Sequence, residues 1–86
     1  MPEISRFFGI IIKMYFKDHN PPHFHAEYQA YTAEYDIKTL SLINGSLPNR
    51  AHALVIEWAS YHREELLEDW NLASQIETLK KIEPLK

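Results

Sequence analysis

The sequence contains no cysteine, which removes disulfides, thiolate nucleophiles and the usual sulfur-based structural zinc sites. It has no surplus of basic charge. Nine Lys and Arg stand against twelve Asp and Glu, for a net charge of −3, whereas sequence-independent binding to RNA or DNA needs a basic footprint. Lys13 and Lys17 leave room for a local basic patch only. No long apolar run is present: the longest, Phe7 to Ile12, falls far short of a bilayer span. Met1 to Arg6 lacks the charged-then-apolar pattern of a signal peptide. There are no repeats and no low-complexity segments. Together these absences lead to the expectation of a cytoplasmic protein without a membrane partner.

What is present reads as globular: 45% of residues are hydrophobic and 13% aromatic, too many for a disordered chain. Eighty-six residues make one small domain. The expected division is a single α+β domain over residues 1–75 and a polar tail over 76–86. A core this small is marginal alone, so a protein partner or homo-oligomer that buries more surface is expected.

Ile4 to Phe16 is rich in strand formers, with Gly9 marking a bulge or bend. Beyond it Ile10, Ile12, Met14 and Phe16 alternate with Ile11, Lys13, Tyr15 and Lys17, which predicts a half-buried strand with the even residues inward. A second strand runs from His23 to Gln29 with Phe24, Ala26 and Tyr28 inward. At Gln29–Ala30 the alternation changes phase, to Tyr31, Ala33, Tyr35 and Ile37, and a tight hairpin explains the switch. A short strand from Leu40 to Ile43, closed by Asn44-Gly45, completes an antiparallel meander of three or four strands.

Helix is expected from about Pro48, a residue suited to a first helical turn. Ala51, Leu54, Val55, Trp58 and His62 share one side, but further on the apolar centre moves to Leu66, Leu67 and Trp70. One straight helix cannot bury both sets, so a kink or break is expected near residues 60–62. Glu64 and Glu65 then fall in a first turn, where the helix dipole favours acids. The fold class is α+β, with one sheet face covered by this C-terminal helix. His52 reads as a surface residue, His62 as a capping or buried hydrogen-bonded one, and the acids from Glu57 to Asp69 as a solvated face.

Chemistry concentrates in His19-Asn20-Pro21-Pro22-His23-Phe24-His25-Ala26-Glu27, where three of the five histidines fall. Strand alternation puts His23, His25 and Glu27 on the face opposite the core, beside Lys13, Tyr15 and Lys17 of one neighbouring strand and Thr32, Glu34 and Asp36 of the other. Three functional readings compete with a hydrogen-bonded surface pair of histidines beside a proline turn. The first is a metal site drawn from His19, His23, His25 and Glu27, whose nitrogen and oxygen donors suit zinc, nickel, iron or copper. The second is acid–base chemistry by His23 and His25, with Tyr15 and Lys17 as further catalytic candidates and a phosphodiester as substrate. The third is partner recognition through the aromatic content and an edge strand.

A resemblance bears on the choice. The run Ile4-Ser5-Arg6-Phe7-Phe8-Gly9-Ile10, the segment from His19 to Ala26, Leu47-Pro48, Glu57-Trp58, and His62-Arg63-Glu64-Glu65-Leu66-Leu67 with Trp70 resemble the bacterial family called domain of unknown function 4160. The resemblance implies a small cytosolic protein, paired with a partner of the domain of unknown function 2442 type in toxin–antitoxin-like or regulatory modules. It carries over no catalytic residues. The expected function is a partner-binding component of such a module, using the histidine-rich strand face. The alternative is a small metal-dependent or histidine-based hydrolase or ribonuclease.

Overall fold

The computed structural model describes residues 3–86. Its strands are β1 (Glu3–Phe7), β2 (Ile10–Lys13), β3 (His23–Tyr28), β4 (Tyr31–Asp36) and β5 (Leu42–Gly45), followed by α1 (Asn49–Tyr61) and α2 (Arg63–Ser74). The strands form one antiparallel sheet in chain order. The class is α+β, with five strands where the pattern predicted three or four. The extra strand comes from the turn at Gly9. Phe8 and Gly9 take φ of 50° and 81°, and two consecutive positive φ values reverse a chain in the sense that suits a hairpin. Gln29 likewise turns β3 into β4 at φ 54°.

The alternation expected for β2 and β3 holds where the strands pair. Ile10, Ile12, Met14, Phe24, Ala26, Ala33, Tyr35 and Ile37 are all buried. Phe16 and Tyr31 are instead exposed, at 44% and 46%. β2 ends at Lys13 and Tyr31 adjoins a turn, so neither side chain is carried under the helices. α1 supplies Ala51, Val55, Trp58 and Ala59 to the core. The Trp58 ring meets Phe7 at 5.3 Å and Phe24 at 5.9 Å.

The helix breaks where expected. His62, at φ −131°, separates α1 from α2, and its N–H donates back to the Ala59 carbonyl. Its ring bonds Glu65 Oε1 at 2.5 Å. Glu64 and Glu65 occupy the first turn of α2. Two expectations need correction. His52 is no free surface residue: its Nδ1 lies 2.9 Å from the hydroxyl of Tyr35, a phenol whose burial pushes its pKa up to about 12. Asp69 does not belong to a solvated face. It is 1% exposed, and its Oδ1 accepts the Lys80 N–H at 2.9 Å.

Asp69 is buried because residues 75–86 fold back as a strap. Ile82, 3% exposed, enters the core, and its N–H donates to the Ile4 carbonyl at 2.8 Å. The Trp58 Nε1–H donates to the Glu83 carbonyl at 2.8 Å and Lys81 Nζ to the Glu3 carbonyl at 2.6 Å. The strap therefore covers the β1 edge of the sheet. At the opposite edge all four residues of β5 are exposed. Among the described residues no helix is long and apolar enough to cross a membrane.

Candidate functional site

The site sits where β3 begins. The segment from Asp18 to Pro22 joins β2 to β3 and contains a cis peptide at Asn20–Pro21. It returns the carboxylate of Asp18 to the start of β3, between two histidines. Asp18 Oδ2 lies 3.0 Å from His23 Nε2 and 3.1 Å from His25 Nε2. Its Oδ1 accepts the His19 N–H at 2.9 Å. Burial pushes the Asp18 carboxyl up, but the hydrogen bond from His25, the His19 amide and the two neighbouring imidazoles outweigh it and hold the group below its ordinary range.

The two strand histidines differ. His25, on the face opposite Phe24, is half-buried, and the edge of its ring meets Tyr15 at 4.5 Å. His23 is 2% exposed. It had been expected on an open face, but that face is closed at this point by Trp70 of α2, whose ring lies 5.2 Å from the imidazole. α2 is held there by the bond from the Lys17 N–H to the Ala73 carbonyl. The His23 Nδ1 lies 2.7 Å from the Pro21 carbonyl oxygen. Its Nε2 is buried without a hydrogen-bond partner.

The other candidate residues are placed as follows. His19 is exposed, with its Nδ1 2.9 Å from Asp18 Oδ1. Glu27 is committed elsewhere, to Lys13 Nζ at 3.0 Å. Lys17 is exposed, at φ 53°. Among the described residues, the group of possible metal donors brought together is Asp18, His23 and His25, each with one ligand atom within 4.8 Å of the others. Sequence reasoning missed Asp18 because strand alternation says nothing about a loop. It also undervalued Glu34, which pairs with His25 across β3 and β4 and places Oε1 3.7 Å from His23 Nε2. Antiparallel register was the available signal for Glu34.

Residues 9–71 match the family described as domain of unknown function (DUF4160). The chain belongs to the DUF4160 family. The matched span holds Asp18, His23, His25, Glu34 and Trp70, so the whole constellation lies inside the DUF4160 region, while the strap over β1 lies outside it. Neither a search of curated proteins nor one of solved structures returns a match.

Proposed function

We propose that this DUF4160 chain is the partner-binding component of a two-protein, toxin–antitoxin-like or regulatory module in the cytoplasm. The observation that carries the reading is the asymmetry of the sheet edges. The strap occupies the β1 edge, whereas β5 presents Leu42 and Ile43 at 44% and 45% exposure beside an edge that no strand among the described residues pairs. An uncovered apolar edge without Lys or Pro invites a strand from a second chain. A cleft of about 180 Å³ lined by His25, Thr32, Ala33, Glu34, Asn44 and Gly45 continues from that edge to the histidine face. A partner seated on β5 would thus reach His25, which joins the edge to the histidine-rich strand.

Co-expression with a domain of unknown function 2442 partner tests the reading. A stable complex is expected, lost when Leu42→Asp and Ile43→Asp are combined in a chain that keeps its circular dichroism. Absence of association, or a complex indifferent to charge on β5, contradicts it.

A second reading, a histidine-based hydrolase or ribonuclease, draws on the Asp18–His25 pair. A carboxylate that accepts the Nε2–H fixes the tautomer and leaves Nδ1 to take a proton from a nucleophile. Growth arrest or RNA cleavage that disappears in His25→Ala supports it. Arrest that persists without both strand histidines removes it.

A further inference from the structure

We infer that Asp18, His23 and His25 form a three-ligand site for a divalent transition-metal ion, bound through Asp18 Oδ2 and the Nε2 atoms of both histidines. The inference is independent of partner binding. It begins with the hydrogen-bond roles of His23. A carbonyl oxygen only accepts, so the 2.7 Å contact with Pro21 puts the ring proton on Nδ1. Nε2 then carries a lone pair, in a side chain that is 2% exposed and at an atom without a hydrogen-bond partner. The charged atoms beside it, Asp18 Oδ2 at 3.0 Å and Glu34 Oε1 at 3.7 Å, are acceptors too. The donor at this point, the His25 Nε2–H, is already given to Asp18. A buried acceptor that faces two partly shielded carboxylates with nothing between them is unfavourable. A cation among them removes the conflict.

The spacing fits. Two ligands about 2.0–2.1 Å from a tetrahedral ion stand about 3.3 Å apart, and adjacent octahedral ligands about 2.9 Å apart. Asp18 Oδ2 stands 3.0 and 3.1 Å from the two nitrogens, and all three donors fall within 4.8 Å of one another. The surroundings also resemble those of a metal ligand. A histidine that binds metal through one nitrogen characteristically gives the other N–H to a carbonyl or carboxylate, as His23 does to Pro21. Trp70 and Tyr15 pack against the two imidazoles and hold their planes. For His25 to ligate, its ring proton moves to Nδ1 and the metal takes the place of the Nε2 proton.

Two imidazoles and one carboxylate, with no sulfur, select a transition ion such as Zn²⁺ or Fe²⁺ over Mg²⁺, which prefers oxygen. Three protein ligands leave positions for water or another ligand. The set departs from the one read off the sequence. Asp18 enters, His19 faces Asp18 Oδ1 from solvent, and Glu27 is held by Lys13.

The test is calorimetric titration of the untagged full chain with Zn²⁺, supported by the visible absorption of Co²⁺. One equivalent is expected for wild type, His19→Ala and Glu27→Gln, with no uptake of Mg²⁺. Asp18→Asn and His25→Ala should each weaken binding by more than about 100-fold, beyond the loss that follows removal of an outer hydrogen bond. Circular dichroism verifies that both remain folded. Failure of the folded wild type to take up either ion overturns the inference. So does affinity that survives Asp18→Asn and His25→Ala, or that follows His19 in place of Asp18.

Discussion

At its first two residues β3 is hidden from water on both faces, His23 on one and Phe24 on the other, and the two are hidden for different reasons. On one face Phe24 and Ala26 are fully buried; Phe24 stacks on Tyr35 at 5.5 Å and meets Trp58 edge-on. The Phe24 and Ala26 side chains are wholly apolar, and their removal from water stabilises the fold in proportion to area, at roughly 25 cal/mol per Å². On the other face His23 is buried nearly as deeply, yet one of its two ring nitrogens has no hydrogen-bond partner. Burial on that side does not stabilise by itself. It holds a lone pair in a fixed position next to a carboxylate and a second imidazole, and that position has a chemical use.

Substitutions can break or sharpen this contrast. The largest effect is expected for Phe24→Ala, which should destabilise the fold by about 3–5 kcal/mol through lost transfer energy and the cavity left behind, measured by denaturant unfolding. Next comes Asp69→Asn. Burial pushes the Asp69 carboxyl up, only partly opposed by the Lys80 N–H, so the folded state holds that proton more tightly than the unfolded chain. The wild type should therefore lose stability as pH rises from the unfolded carboxylate range through the raised folded value, a loss that is complete above it. Asp69→Asn lacks this decline and should be more stable than wild type near neutral pH, because a neutral amide does not put a charge into that buried position. Unfolding measured across a pH series checks both the sign and the window.

Smaller still is His23→Leu in metal-free solution. It loses the bond to Pro21 but also removes the orphaned Nε2, so stability should change by about 1 kcal/mol or less. A cost equal to that of Phe24→Ala would make His23 an ordinary packing residue and erase the contrast between the faces. The least effect belongs to Glu27→Gln. Its pair with Lys13 is partly exposed, and such pairs contribute about 0.2–1 kcal/mol.

The core face of β3 was legible in the chain, and the site was legible only in part. Ile10, Ile12, Phe24, Ala26, Ala33 and Tyr35 announce themselves because a period of two is local and each strand carries its own evidence. The break at His62 follows from the same logic, since two apolar stripes cannot share one helix face. Asp18 is different. Its carboxylate reaches β3 only through the path of residues 18–22, which no periodicity describes. Burial of His23 was hidden because the group that covers it, Trp70, arrives from α2, far along the chain. The covered β1 edge depends in the same way on Ile82, with Leu79 and Leu85 packed against the core from the same segment. The hairpin at Phe8–Gly9 was half-visible: Gly9 marked a bend, and the positive φ of Phe8 made it a reversal.

His23 presents a buried Nε2 to Asp18 and His25 as a metal ligand, and nitrogen-resolved NMR of the imidazole rings tests this most directly. In metal-free protein the His23 Nδ1–H is expected to be given to the Pro21 carbonyl. One equivalent of Zn²⁺ should then shift the Nε2 resonances of His23 and His25 and leave those of His19, His52 and His62 in place. A His23 Nε2 resonance that does not respond to Zn²⁺, or a response that follows His19 instead, would contradict it.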